Sequence, residues 1–374
     1  MRILLAGGGT GGHFFPLIAL AREIRVIAEK NLIVDLDLYY LGALDQEKSQ
    51  TLKKEGLIEI KVLTGKWRRY FSLENFLDIF KFFLGILQSL WHFFVIMPDV
   101  VFSKGGYGAL PAVIGAVIFR IPLMVHESDA IPGKVNQWSA RFADKVGVAF
   151  AGAADFFPKE KTALVGIPLR KKLLSGSPVS AKENLNITSG LPVLGFVGGS
   201  QGAQKINDAL LGILKELAGE FEIIHQCGEK NLSDVKSEAE VILNPDLKNH
   251  YHLFGFMNEE EIRDFYAAAD LIISRASSSI MEIAASGKPS ILIPLSGAAQ
   301  DHQRKNAYEY SRVGACLIVE ETNLTPHVLL RDITKLISDK EKIKQMSDAA
   351  KNFARLDSAE IIAREILGLA VHNL

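Results

Sequence analysis

Short, continuous apolar runs alternate along this chain with longer stretches whose apolar residues recur every three or four positions. The runs Ile3–Ala6, Val34–Leu41, Asp99–Ser103, Pro122–His126 and Lys145–Phe150 read as strands buried on both faces. Between them, helical spacing is expected over Pro16–Glu29, Glu74–Met97, Ala109–Phe119 and Val135–Arg141. Such alternation predicts a parallel sheet with helices on both faces. The pattern then restarts. The turn-rich stretches Ser175–Pro178 and Asn186–Gly190 lead into expected strands at Val193–Val197, Phe221–Gln226, Tyr251–Phe254, Leu271–Ser274, Ser290–Pro294 and Cys316–Val319. Helices are expected among them at Ala203–Leu217, Glu259–Ala268, Ser279–Ser286 and His302–Ser311. The hinge is placed near Gly166-Ile167-Pro168, beyond the short apolar run Ala163–Val165. The last segment, Ile343–Leu369, reads as helical with a break and a new N-cap at Asp357-Ser358.

With 374 residues, the chain has room for two domains with separate cores. Its 48% hydrophobic and 23% charged residues are those of an ordinary globular protein. The net charge of −1 gives no global argument for nucleic acid, and no nucleic-acid partner is expected. Cys227 and Cys316 lie far apart, without a CxxC or Cys/His cluster, so a reducing cytosol and no zinc site are expected. The N-terminus runs straight into a strand without the features of a secretion signal. Phe76–Met97 is very apolar but is interrupted by Asp78, Lys81, Gln88 and His92. Gly105–Phe119 is uncharged, yet its roughly 15 residues fall short of a membrane span.

Candidate chemistry begins with two glycine-rich loops, each following an apolar strand. They are Gly7-Gly8-Gly9-Thr10-Gly11-Gly12-His13 and Gly198-Gly199-Ser200-Gln201-Gly202. In such a loop, backbone N–H groups can face an anion unobstructed, and the following helix adds its positive end. One loop in each half suggests two similar domains serving one phosphorylated ligand. The first loop also satisfies GxGxxG, which admits a dinucleotide-binding oxidoreductase. That reading wants an acid at the end of the second strand, where this chain has Tyr39-Tyr40-Leu41-Gly42 and the next acid is Asp45.

Other motifs each carry two readings. His13, beside the expected crevice, is a proton acceptor or a ligand-positioning group. Asp35-Leu36-Asp37 matches the DxD of metal-dependent sugar transferases, but the alternation around it reads as ordinary strand, and no metal is expected. Gly105-Gly106-Tyr107-Gly108 is a third close approach of backbone to ligand or a tight helix–sheet contact. Ser279 and Glu282 have capping-box spacing; alternatively, Glu282 accepts both hydroxyls of a ribose. Gln300-Asp301-His302-Gln303 reads as a helix start or as a sugar-recognition cluster. Lys66-Trp67-Arg68-Arg69-Tyr70-Phe71 followed by Phe76–Phe94 is more apolar and aromatic than one sheet contact requires. It is read as an interfacial surface for anionic lipid, carried by Lys66, Trp67, Arg68, Arg69, Phe76, Phe80 and Phe83.

Together these residues resemble the MurG family of bacterial cell-wall glycosyltransferases, over essentially the whole chain. The carriers are GGGTGGHFFP from Gly7, SKGGYGALP from Ser103, HESDAIPGKVNQW from His126 and GIPLR from Gly166. GGSQGA from Gly198, SIMEIAASGKP from Ser279 and DHQRKNA from Asp301 complete the set, in family order. The resemblance implies a GT-B architecture, an α/β fold of two Rossmann-like parallel-sheet domains with an interdomain cleft. The acceptor and membrane-associating domain would comprise residues 1–165 plus 353–374, the last helix crossing back. Residues 166–352 would form the UDP-sugar domain. The implied reaction moves N-acetylglucosamine from UDP-N-acetylglucosamine to the undecaprenyl-diphosphate-linked muramyl pentapeptide, lipid I. It would occur peripherally on the anionic cytoplasmic membrane surface, with inversion and without cofactor or metal.

By motif position, the resemblance implies that Ser200 and Arg170 serve the diphosphate and Met257 lies at the uracil. Ser277, Ser278, Ser279, Ile280, Met281 and Glu282 would meet nucleotide and ribose, and Gln303 the sugar hydroxyls. Thr10, Gly11 and Gly12 would face the diphosphates, with His13 at the position of the proposed catalytic histidine. Three departures stand out. Asp129 occupies a binding position where the family usually has Asn, and a carboxylate suits a diphosphate there only if protonated or paired. Ile167 replaces the Asn of Gly-Asn-Pro. Arg275-Ala276-Ser277 lies one residue closer to the glutamate than is usual. Rival readings are a related enzyme acting on another lipid acceptor, an NAD-dependent oxidoreductase, and a non-catalytic nucleotide-sugar or lipid binder.

Overall fold

The computed structural model describes residues 1–8, 10–63, 73–199 and 202–371, with the side chains of 73–79 and 299 outside that description. The chain divides into two compact units, Met1–Arg170 with Arg355–Leu374, and Lys171–Ala354.

In the N-terminal unit the chain runs β1 (Arg2–Ala6), α1 (Gly11–Lys30), β2 (Asp37–Leu41), α2 (Gln46–Lys54), β3 (Ile58–Ile60) and α3 (Leu73–Ile96). It continues through β4 (Val100–Ser103), α4 (Leu110–Phe119), β5 (Leu123–Glu127), α5 (Lys134–Ser139), β6 (Lys145–Val148) and β7 (Thr162–Leu164). The seven strands form one sheet in the order β3-β2-β1-β4-β5-β6-β7, every pair parallel. Ile3, Leu5, Val100 and Phe102 pack on one face beneath α1, while Leu4, Val101, Leu123 and Val125 pack on the other beneath α4. This two-sided burial is why the central strands read as unbroken apolar runs.

The C-terminal unit contains α6 (Pro178–Asn184), β8 (Val193–Val197), α7 (Gln204–Leu211), α8 (Leu214–Ala218), β9 (Glu222–Gln226), α9 (Leu232–Ile242) and α10 (Pro245–Lys248). There follow β10 (Tyr251–Phe254), α11 (Glu259–Ala268), β11 (Leu271–Ser274), α12 (Ser279–Ala285), β12 (Ser290–Leu292), α13 (His302–Arg312) and β13 (Cys316–Ile318). Helices α14 (Pro326–Ser338) and α15 (Lys340–Phe353) close the unit. Its six strands are again parallel, in the order β10-β9-β8-β11-β12-β13. Helix α16 (Ser358–Val371) belongs to the N-terminal unit, where Ile362 and Ile366 join the α1 core with Phe14 and Leu17.

Two segments depart from the expected pattern. Asp35-Leu36-Asp37 is not continuous strand: Asp35 takes φ +61°, and β2 begins at Asp37. A left-handed residue cannot continue a ladder, and Asp is among the few non-glycine residues that tolerate it. The expected helix over Ala203–Leu217 is two, α7 and α8, interrupted after Gly212, where Ile213 leaves helical geometry with φ −132°.

Candidate active site

In a doubly wound sheet, a crevice opens where the strand order reverses, because the loops leaving the two neighbouring strands diverge. Here the reversals fall between β1 and β4 and between β8 and β11. The glycine loops leave β1 and β8, so each unit has one at its switch point.

In the N-terminal unit, the loop after β4 meets the loop after β1. Gly8 N donates to Gly105 O at 3.1 Å, and Lys104 N donates to Ala6 O at 2.8 Å. Gly105 has φ +87°, and a Cβ there would lie 2.5 Å from Asn136 Oδ1, so glycine is required. The Gly105–Gly108 motif thus forms a packed contact. Tyr40, from β2, donates its hydroxyl to Gly7 O at 3.1 Å and fixes the loop from the other side. Helix α1 begins at Gly11, so the Gly11 and Gly12 amides precede its first internal bonds and can serve an anion.

His13 lies in the first turn of α1, half-buried, with Nδ1 2.9 Å from Thr10 Oγ1. A Cβ at Gly8 would sit 3.0 Å from that same nitrogen, so the ring lies against the glycine loop. The Arg170 guanidinium is also in this unit, 4.3 Å above the Phe15 ring, two residues beyond His13. Asp129 follows β5, at the end of a buried polar cluster. In it, Glu127 accepts from the amides of Ser128, Asp129 and Gly133 at 2.7, 2.9 and 3.0 Å, and from Asn136 Nδ2 at 2.9 Å. Burial and the neighbouring Asp129 charge raise the Glu127 carboxyl above its usual range.

In the C-terminal unit, Gly202 has φ +75°, and a Cβ there would lie 2.3 Å from Cys227 O. Gln226, the last residue of β9, joins this loop to the segment before α11. Its Nε2 donates to Gly199 O at 3.3 Å, and its Oε1 accepts from Met257 N at 3.0 Å. The side chains of Met257, Ile280 and Met281 are core. Ser200 lies outside the described residues.

The loop after β11 is held from below. Arg275, buried, donates to Ile293 O at 3.1 Å and pairs with Glu321 at 2.5 Å. Glu321 also accepts from Ser296 N and Lys205 Nζ, at 3.1 and 3.2 Å. Burial alone would raise the Glu321 carboxyl, but Arg275 and the Ser296 amide hold it down to about 2. Above this base, Ser279 Oγ lies 3.1 Å from Ser277 Oγ and donates to Arg275 O at 3.2 Å. The capping box does not form: Ser278 is the N-cap and makes no side-chain cap bond. Glu282 instead accepts from the Tyr266 hydroxyl at 2.9 Å. Gln303 Oε1 accepts from Leu295 N at 3.0 Å, and Asn306 ties α13 to Ala276 O at 3.2 Å. Just before α13, Gln300 and Asp301 both have positive φ, 55° and 57°. Two consecutive strained non-glycine residues mark a loop whose shape is imposed by its surroundings.

Lys104, Gln226, Tyr266 and Arg275 are site neighbours to which the motifs assign no role. Lys104, Gln226 and Arg275 sit at or just beyond the C-terminal end of an apolar strand. In a doubly wound sheet that position alone marks a polar residue for attention. The acid sought by the dinucleotide reading is occupied elsewhere: Asp45 caps α2, accepting from Lys48 N at 2.9 Å.

Helix α3 presents an exposed apolar stripe on the N-terminal unit. Phe80, Phe83, Leu84, Leu87, Trp91 and Phe94 are exposed, Leu87 by 63% and Trp91 by 65%. Its opposite face, with Ser89 and Phe93, is buried; Ser89 donates to Pro111 O at 2.9 Å on α4. Lys66, Trp67, Arg68, Arg69 and the Phe76 side chain lie outside the described residues. Among the described residues, no helix is long and apolar enough to cross a membrane.

Two doubly wound parallel-sheet units, each with a glycine loop at its switch point, place the chain in the GT-B class of glycosyltransferases. Residues 3–148 match the glycosyltransferase family 28 N-terminal domain, and residues 193–362 match the family 28 C-terminal domain. The chain belongs to the MurG family of these enzymes. Similar curated proteins include the UDP-N-acetylglucosamine--N-acetylmuramyl-(pentapeptide) pyrophosphoryl-undecaprenol N-acetylglucosamine transferase of Legionella pneumophila, 37% identical over 97% of this chain and 96% of the relative. The enzyme of that name from Clostridium tetani is 34% identical over 93% of this chain and 94% of its own. Among solved structures, Acinetobacter baumannii MurG has a TM-score of 0.72 at 24% identity, covering 98% of this chain and 99% of that one. A UDP-GlcNAc 2-epimerase from Neisseria meningitidis, bound to UDP-GlcNAc, shares the fold with a TM-score of 0.70 at 14% identity, over 98% and 100% of the two chains.

Proposed function

We propose that this glycosyltransferase moves N-acetylglucosamine from UDP-N-acetylglucosamine to the muramyl 4-hydroxyl of lipid I, completing the disaccharide of lipid II. The observation that carries this reading is the glycine loop at each switch point, the first with the His13 ring held against it. The names of the full-length relatives supply the donor and acceptor.

The reaction is a direct displacement. The acceptor 4-oxygen attacks the anomeric carbon, the bond from that carbon to the UDP β-phosphate oxygen breaks, and α becomes β. The hydroxyl proton passes to His13, which the Thr10 hydroxyl orients. Negative charge growing on the diphosphate is met by glycine-loop amides, helix N-termini and Arg170. These groups supply the electrostatic stabilisation that other sugar transferases draw from a metal ion, so the reaction proceeds without one. Glu282 holds the ribose hydroxyls, and Gln303 holds the sugar hydroxyls. Because their side chains are buried, Met257, Ile280 and Met281 address the nucleotide through their backbone.

The exposed stripe of α3 is suited to lie among lipid headgroups, with the basic residues that precede it in sequence on anionic lipid. This would hold the enzyme peripherally at the cytoplasmic membrane surface, where the acceptor's long prenyl chain is anchored. The reading is tested by incubating the protein with labelled UDP-N-acetylglucosamine and a short-chain lipid I analogue. A labelled disaccharide-lipid and free UDP are expected; absence of transfer overturns it.

A further inference from the structure

Lys104 is the first residue after β4 and only 1% exposed. Its ammonium lies 2.9 Å from His126 Nδ1 and donates to Ser128 Oγ. His126 Nε2 donates to Gly166 O at 2.7 Å, so Nδ1 presents its lone pair and accepts from the lysine. Both of these partners are neutral. A buried cation with neutral partners still needs a counter-charge nearby. Glu127 and Asp129 are the carboxylates that act on it.

Those two carboxylates do different work. Glu127 is buried and serves as the template of the 128–133 turn, accepting three backbone amides and the Asn136 amide. Asp129 is half-buried, one residue beyond the Ser128 hydroxyl that receives the Lys104 ammonium. A carboxylate there, in the unit read as the acceptor domain, would repel a diphosphate unless its charge were balanced from within.

We propose that Lys104 is a positioning residue of the acceptor half of the site and that it acts through Asp129. The buried ammonium anchors the Ser128–Asp129 turn and balances the Asp129 carboxylate. A diphosphate-linked acceptor then meets a compensated pair rather than a bare anion. The inference rests on the acceptor reading above and adds to it a residue that the reading does not use. Burial pushes the Lys104 pKa down to about 8 while Glu127 and Asp129 hold it up, leaving the side chain charged at neutral pH. His126, on β5, is kept neutral by its own burial and by the Lys104 charge, with His13 of α1 also acting on it.

A double-mutant cycle tests this on the full chain, with Lys104→Met, Asp129→Asn and the two combined. The readouts are kcat/KM for a short-chain lipid I analogue and KM for UDP-N-acetylglucosamine. Each single change is expected to lower acceptor kcat/KM about tenfold, because each removes one half of the charge balance between the two side chains; the double variant should recover to within about threefold of the parent. The donor KM should stay within about twofold throughout. Independent losses that multiply in the double variant, or a donor KM that moves with them, overturn the proposal. If Lys104→Met does not fold, Ser128→Ala takes its place, with an acceptor KM expected to rise about threefold at constant donor KM; no change overturns the proposal. A parent that makes no product overturns the functional reading and this inference with it. An active parent with multiplying losses overturns the inference alone.

Discussion

The Tyr266 hydroxyl donates to Glu282 Oε2 at 2.9 Å, linking α11 to the first turn of α12. Tyr266 is 1% exposed, so its ring is fixed by the core and the carboxylate is aimed by something that does not move. A carboxylate aimed in this way can accept two vicinal hydroxyls at once, as ribose recognition requires. Glu282→Gln should raise the KM for UDP-N-acetylglucosamine about ten- to a hundredfold, and Tyr266→Phe about three- to tenfold. A donor lacking the ribose 2′-hydroxyl supplies the control. It should bind the parent more weakly than the natural donor, and this difference should vanish in Glu282→Gln.

His13→Ala separates chemistry from binding. If His13 takes the acceptor proton, kcat should fall about a hundred- to ten-thousandfold, with UDP affinity changed less than about threefold. Single-turnover kinetics alongside calorimetric UDP titration checks both. Unchanged turnover removes His13 from the proton-accepting role.

Acid should weaken the C-terminal unit before any surface ion pair matters. Burial pushes His225 down to about 3, and its ring nitrogens meet Tyr251 OH at 2.7 Å and Asn207 Oδ1 at 3.0 Å. The unfolded chain binds this proton near 6.5 and the folded one does not, so stability falls as pH drops through that window. The loss is about 2 kcal/mol by pH 5. Glu321 has the same sign lower down. Its pairing with Arg275 contributes stability fully above about 4.5, and this is lost as pH falls toward 2. Urea unfolding at pH 7, 6 and 5 should show a decline that His225→Gln flattens.

The α3 stripe should carry lipid binding. Replacing Leu87 and Trp91 together by Glu should lower flotation with anionic liposomes about tenfold or more while leaving activity on a short-chain, detergent-soluble acceptor intact. Charge reversal at Arg68 and Arg69 should weaken flotation in a salt-dependent way. Flotation unaffected by either change would separate this face from the membrane.

Much of this architecture was legible because parallel strands buried on both faces leave continuous apolar runs, and the central strands of both sheets do so. The edge strand β3 leaves no mark in the pattern, and β7 shows only as the short apolar run Ala163–Val165. Each is three residues long and only partly buried, so polar residues interrupt the pattern. Helix α1 begins at Gly11 rather than Pro16, because five residues of poor helix-forming appearance are recruited to put free amides at the crevice. Glycine loops, His13 and Glu282 announce themselves by type and spacing. Lys104 and Gln226 do not, since their partners lie on or just beyond neighbouring strands: His126 is 22 residues from Lys104, and Met257 is 31 from Gln226. Only the strand order brings them together.

The central claim is transfer of one sugar from one donor to one acceptor with inversion. The most direct measurement is the anomeric configuration of the product, read by proton NMR after the protein is incubated with UDP-N-acetylglucosamine and a short-chain lipid I analogue in EDTA. The account predicts a β-linked disaccharide-lipid, with UDP released in equal amount. An α-linked product, no transfer without a divalent ion, or UDP-N-acetylglucosamine epimerised or hydrolysed with the acceptor untouched would contradict it.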